Sequence, residues 1–139
     1  MLAQGKPIVF EYRITVTGAH IDRLDHVNNV VYVQWVQDAT HAHWEAAALP
    51  EHKTGLVWMV LRHEIDYHKS AFKGDELVAR TWVGEDKGVR WERFVEFVRP
   101  ADGAVIARAR SQWCTLDKTS LRPRRVDPAV RAPFVEAAP

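Results

Sequence analysis

Cysteine is almost absent from this chain: Cys114 is the only one in 139 residues. A single thiol excludes an intramolecular disulfide and fits a reducing compartment, so a cytoplasmic protein is expected. Net charge is equally scarce. Nineteen Lys and Arg against eighteen Asp and Glu leave a formal +1, which offers no electrostatic footprint for nucleic acid. No apolar run approaches the roughly 20 residues that a membrane span needs, and Met1 to Pro7 lacks the apolar core of a secretory leader. The histidines do not make up for the missing cysteines. His20, His26, His63 and His68 show no metal-ligand spacing, and His41 and His43, two apart, point different ways on a helix. No metal is expected. What remains is a soluble protein of one domain, residues 1–139, long enough to bury a real core.

What is present begins with Ile21-Asp22-Arg23-Leu24-Asp25-His26-Val27-Asn28-Asn29-Val30-Val31-Tyr32. Carboxylates, an imidazole and two amides stand directly before an apolar segment. In that segment Tyr32, Trp35, Val36, Ala39, His43 and Ala46 recur at three- and four-residue steps, which predicts one long helix from Val30 to Ala48. Asn28 or Asn29 is a natural N-cap, though Asn-Asn before a helix is by itself ordinary capping. A helix start carries positive potential and free N–H donors, a geometry suited to a carbonyl becoming an oxyanion with Asp22 nearby as base or nucleophile.

Around that helix the chain reads as strands. Ile8 to Thr17 alternates strictly, with Ile8, Phe10, Tyr12, Ile14 and Val16 on one face. A polar turn, Glu51 to Gly55, leads into Leu56 to His68, where Val57, Met59, Leu61, His63, Ile65 and Tyr67 share the apolar face and Trp58 and Glu64 the other. Glu76 to Gly84 follows, with Leu77, Ala79, Thr81 and Val83 opposite Trp82; then Glu85-Asp86-Lys87-Gly88 as a hairpin loop. Val89 to Arg99 and Ala104 to Leu116 complete the set. The tail, Asp117 to Pro139, is rich in proline and arginine, with one short helix near Pro128 to Arg131. Cys114, in an alternating apolar run, reads as a buried inert thiol. An antiparallel sheet of about five strands must cover one face, and the single helix is the candidate for it. Its long open edges call for protection, so a homodimer or homotetramer is expected.

This order of elements, with the Asp22 to Tyr32 run, resembles the hot-dog-fold acyl thioesterases. The nearest group is the 4-hydroxybenzoyl-CoA thioesterase and YbgC-like family; His26-Val27-Asn28-Asn29-x-x-Tyr32 is also similar to the acyl-ACP thioesterases. Arg62-His63-Glu64-Ile65-Asp66-Tyr67, Gly74-Asp75-Glu76-Leu77 and Arg122-Pro123-Arg124-Arg125 extend the resemblance over nearly the whole chain. It implies an α+β hot-dog fold, the sheet wrapped around one central helix, and hydrolysis of an acyl-CoA or acyl-carrier-protein thioester without a cofactor.

The resemblance places the family's catalytic acid on Asp22, its carbonyl-polarising backbone N–H on Asn29, a loop histidine on His26 and a strand glutamate on Glu64, the last acting across a dimer. Asn28, Tyr32, Trp58 and Arg90 are the candidates for binding substrate: a cap, an aromatic at the helix start, an indole for an acyl pocket or an interface, and a cation for coenzyme A phosphates. Lys69, Arg122, Arg124 and Arg125 are further cations of that kind. The chain departs from the pattern where Asp25 replaces the glycine that often precedes His-Val, where Asn29 replaces a histidine, and where Leu24 replaces an asparagine. Two other readings stay open: a hydratase or dehydratase using His26 with an acid, and a non-catalytic acyl-CoA-binding protein.

Overall fold

The computed structural model describes residues 5–137, which places part of the amino-terminal stretch read for a leader, Met1 to Gln4, and the last two tail residues outside the description. Five antiparallel strands form one sheet in the order β1-β3-β4-β5-β2. They are β1 (Phe10–Thr15), β2 (Leu56–Tyr67), β3 (Glu76–Lys87), β4 (Arg90–Arg99) and β5 (Ala104–Asp117). The helix α1 (Asn29–Ala47) lies on the inner face of this sheet and buries Tyr32, Trp35, Val36, Ala39, His43 and Trp44. The stripe follows the predicted periodicity, except that Trp44 goes inward and Ala46 stays exposed. No helix among the described residues is long and apolar enough to cross a membrane.

Two clusters make the core. One joins the first half of α1 to Ile14, Leu77, Ala79, Val95, Phe97 and Ile106. The other gathers Trp44, Leu56, Val83, Trp91, Val126, Val130 and Phe134 under the end of α1. The tail supplies the last three of these: α3 (Pro128–Arg131) forms as predicted, capped by Asp127, whose Oδ1 accepts from the Val130 N–H at 3.0 Å. Arg131 then bonds Asp86 through Nε and Nη2 at 2.5 and 2.8 Å. Cys114 is buried.

Three expectations change. The polar turn after α1 is a short helix, α2 (Pro50–Gly55), because Pro50 occupies the first helical turn, where its missing N–H costs nothing. The hairpin between β3 and β4 turns two residues later than the sequence suggests. Lys87 still pairs with Arg90, and the turn is Gly88-Val89 with Gly88 at φ 63, a conformation open to glycine. The third change matters most. β2 and β5 slip register between Val60 and Arg62, so Leu61 is an extra residue that reverses the side-chain parity along β2. Trp58 therefore packs inward before the bulge, against Trp44 and Trp91 at 5.5 and 5.7 Å between ring centres, and His63 and Ile65 turn inward after it. Met59 and Leu61, assigned to the apolar face by simple alternation, are 48% and 43% exposed on the open edge.

Candidate active site before the central helix

The Asp22 to Asn29 segment is a closed loop. An isolated bridge joins Ile21 to Val27, the Asp22 N–H donates to the His26 carbonyl at 3.0 Å, and the Asp25 N–H donates to the Asp22 carbonyl at 3.1 Å. Closing so tight a turn needs one residue in the left-handed region, and Asp25 takes it at φ 63. Aspartate is among the few non-glycine residues that tolerate this conformation. Asp25 thus makes the bend without a glycine.

Inside the loop, Asp22 Oδ1 accepts the Leu24 N–H at 2.8 Å and lies 3.9 Å from His26 Nδ1. Both side chains are about three-quarters buried, with 27% and 29% exposed. Asn28 caps α1, its Oδ1 accepting the Val30 N–H at 3.1 Å. Asn29 is the first helical residue, and its own N–H has no acceptor among the described residues. The helix therefore opens with a free donor at its positive end.

A second loop holds the first. The Val27 N–H donates to the Ala71 carbonyl at 2.9 Å, and Val16 donates to the Asp75 carbonyl at 2.9 Å. Arg99 clamps this loop by donating to the Ser70 carbonyl, Asp75 and Asp102 at 3.2, 2.9 and 3.0 Å. Those bonds, to Asp102 foremost, push the Arg99 pKa up. The Tyr67 hydroxyl donates to the Asn29 carbonyl at 3.1 Å and ties the end of β2 to the helix start. Tyr32 stands edge-on to Tyr67, Trp35 and Phe97, and burial pushes its hydroxyl up to about 12.

Between the loops lies a cleft of about 150 Å³ lined by His26, Val27, Asn29, Tyr32, Tyr67, His68, Lys69 and Ser70. It brings together His26, Asn29 and Tyr32 of the sequence candidates, with Asn28 adjoining. Asp22 is not among its lining residues; its Oδ1 lies 3.9 Å from Nδ1 of His26, which is one of them. Glu64 is exposed on β2 and pairs with Arg62 at 2.8 Å, outside the cleft. Trp58 belongs to the aromatic core cluster at the other end of β2. Arg90 lies seven residues along β4 from Phe97, the residue level with Tyr67 across Ala107, which is about 23 Å. There it borders a separate outer groove of about 590 Å³ with Arg62, Lys87 and Arg110. One protomer thus does not unite Glu64, Trp58 or Arg90 with the helix start. Of the remaining wall, Lys69 was a candidate cation from the sequence, whereas Tyr67, His68 and Ser70 were passed over; their signal was that they follow β2 directly and precede the loop that anchors Val27. No group of three or more His, Cys, Asp or Glu among the described residues could hold a metal ion.

The family described as the Thioesterase-like superfamily matches residues 16–134. No curated protein matches the chain. Among solved structures, the probable thioesterase YbaW from Escherichia coli superposes with a TM-score of 0.81 at 21% identity, over 91% of this chain and 98% of that one. The 1,4-dihydroxy-2-naphthoyl-CoA thioesterase from Synechocystis gives 0.76 at 17%, over 90% and 95%. The 12:0-ACP thioesterase from Umbellularia californica gives 0.77 at 17%, over 93% of this chain and 51% of its own. These likenesses establish the hot-dog architecture: a five-stranded antiparallel sheet around one 19-residue helix.

Proposed function

Because this chain belongs to the Thioesterase-like superfamily, we propose that it hydrolyses an acyl-CoA or acyl-carrier-protein thioester to the free acid and thiol in the cleft before α1. The observation that carries this reading is the Asn29 N–H, without an acceptor among the described residues, at the positive end of α1 on a residue that lines the cleft together with His26, itself paired with Asp22. A thioester carbonyl seated there would accept a hydrogen bond from that N–H as negative charge grows on its oxygen. A donor of this kind binds the tetrahedral oxyanion more strongly than the ground-state carbonyl and lowers the barrier by about 3–4 kcal/mol. Asp22 acts as nucleophile or as general base for water, with His26 on the cleft wall orienting the water or the substrate. Lys69 on the same wall is placed for a coenzyme A phosphate.

The rest of the proposed machinery depends on a second copy. β2 is an open edge carrying exposed Met59 and Leu61, and an open apolar edge is a template for another strand. Antiparallel pairing of two β2 strands about a two-fold near the bulge sets the first half of one strand beside the second half of the other. Trp58 and Arg90 of one copy then approach the helix start of the second, and Glu64 faces across the dimer. The lone buried thiol suits a cytoplasmic enzyme.

The test is thiol release across a panel of acyl-CoA and acyl-carrier-protein thioesters, with Asp22→Asn as control. Hydrolysis by the wild type and a loss of about a hundredfold or more in the folded variant are expected. A protein inert toward the whole panel defeats the proposal. That His26, not Asp22, lines the cleft favours one competitor, hydration of an enoyl thioester; a change in enoyl absorbance without thiol release is its signature.

A further inference from the structure

The inner face of the sheet is mostly apolar, and apart from Thr81 and Thr115 its polar groups form one row that crosses beneath α1. His63 on β2, Ser111 on β5 and Arg93 on β4 stand in register. His63 Nδ1 is 2.6 Å from Ser111 Oγ. Arg93 Nη1 is 2.9 Å from His43 Nδ1 and donates to Thr81 Oγ1 at 3.0 Å. Arg93 is only 6% exposed, and Thr81 and Ser111 are 0% and 1% exposed. Among the described residues no carboxylate pairs with this guanidinium, and its protein bonds all run through Nη1, leaving Nε and Nη2 without a partner. Its neighbours of like parity on β4 are Trp91, Val95 and Phe97, so packing alone has no use for a cation there. A buried charge without a counter-ion is costly.

The surroundings show what that cost serves. Arg93, Thr40, Trp44, Trp58, Trp91 and Trp113, with Val83 and Glu92, line a narrow chamber with about 20 Å³ of free space, room for one water-sized group; the Glu92 carboxylate is taken up by Arg110 and Gln112. The chamber shares Thr40, Trp44, Trp58 and Trp113 with a groove of about 460 Å³ that runs along α1 from Gln34 to Glu45. Gln34 is five residues, about 7.5 Å of helix, from Asn29, so the groove begins close to the cleft. Trp58 Nε1 and Trp113 Nε1 are buried and have no acceptor. Flat indole walls, two idle N–H donors and an uncompensated guanidinium converge on one end of this passage.

We propose that the chamber selects the far end of the acyl group: a flat aromatic body in the groove among the indoles, ending in a carboxylate that reaches Arg93. A carboxylate is favoured over a hydroxyl because a phenol stays neutral at pH 7 and leaves the guanidinium uncompensated. One carboxylate oxygen occupies the chamber and the other meets the indole donors. The Arg93 row lies four residues, about 13 Å, along the strands from the Tyr67 row, the span that the body, its carboxylate and the hydrogen bonds at both ends together cover. This inference rests on the hydrolase reading only for the word acyl; the anion site stands without it.

The experiment has a turnover arm and a binding arm. The first compares 2-naphthoyl-CoA with 6-carboxy-2-naphthoyl-CoA by thiol release. The second compares 2-naphthoate with naphthalene-2,6-dicarboxylate by tryptophan fluorescence and calorimetry. The wild type is expected to prefer the second member of each pair about tenfold to a hundredfold, as a charge-assisted hydrogen bond gives. Arg93→Gln should bring both ratios close to one, and Trp113→Phe should lower them in part; if Arg93→Gln does not fold, the wild-type ratios and Trp113→Phe decide. Equal treatment of both members by the wild type, or a preference that survives Arg93→Gln, overturns the inference. Turnover of both thioesters at equal rates leaves the hydrolase intact and sinks this proposal. Arg93-dependent binding of the dicarboxylate with no turnover does the reverse.

Discussion

Acid should destabilise this protein well above the pH at which its carboxylates titrate, and His43 is the reason. Its ring is 2% exposed, stacks on Phe10 at 4.9 Å and meets Phe134 edge-on at 4.8 Å. Its Nδ1 faces Arg93 Nη1. Burial, with the Arg93 charge second, pulls its pKa down to about 3 from the ordinary 6.5. Below pH 6.5 the unfolded chain binds a proton at this histidine that the folded one refuses, so stability falls with pH from 6.5 toward 3. Between pH 7.5 and 5.0 the loss from this one group is about 2 kcal/mol. His63, whose pKa is also lowered by burial, adds to it in the same direction. The depressed carboxylates Asp102 and Asp117 contribute only below their ordinary 3.8, outside this window. Urea unfolding at pH 7.5, 6.0 and 5.0 measures the effect, and His43→Gln should remove about 2 kcal/mol of the difference while staying folded. An acid loss equal in His43→Gln and wild type would refute the reasoning, and with it the picture of a neutral imidazole facing a buried cation.

Two further perturbations test the loop and the edge. Asp25→Gly should leave stability unchanged or slightly raised, because φ 63 suits glycine, whereas Asp25→Val should cost about 1–2 kcal/mol in chemical denaturation; equal effects would mean the bend is not strained. Leu61→Lys, on the bulge of the open β2 edge, should halve the mass seen by light scattering if two copies pair there, and an unchanged oligomer would move the interface elsewhere.

The fold was legible because its signals are local. Period-two runs gave the five strands, a three- and four-residue rhythm gave α1, and Asn28 marked its start, where the cap bond to the Val30 N–H indeed forms. The inward parity of β3 was readable from Leu77, Ala79, Thr81 and Val83, all buried. β2 was misread for a physical reason: its run Val57 to Leu61 is apolar on both faces, so nothing in the spacing reports the extra residue that turns Trp58 inward and leaves Met59 outside. Only the pairing with β5 fixes that register, and pairing is not written in either strand alone.

The candidate site divides along the same line. The loop and helix start, contiguous in the chain, could be read as a unit, although the left-handed bend at Asp25 emerges only in the structure. The chamber could not, since Thr40, Trp58, Val83, Arg93 and Trp113 come from five elements and meet only after the sheet forms. Yet one clue was present. In Trp91-Glu92-Arg93-Phe94-Val95-Glu96-Phe97 an arginine takes the parity of Trp91, Val95 and Phe97 while Glu92 and Glu96 take the other. A charge on the apolar parity of a central strand must be buried, displaced by a bulge, or paired, and here it is buried without an acid to pair it. Such a residue weakens the fold by its own desolvation, so its presence is better explained by a ligand than by packing. The carboxylate arm of the naphthoyl experiment therefore bears on more than specificity: it asks whether the least favourable charge in this core is there because something arrives to neutralise it.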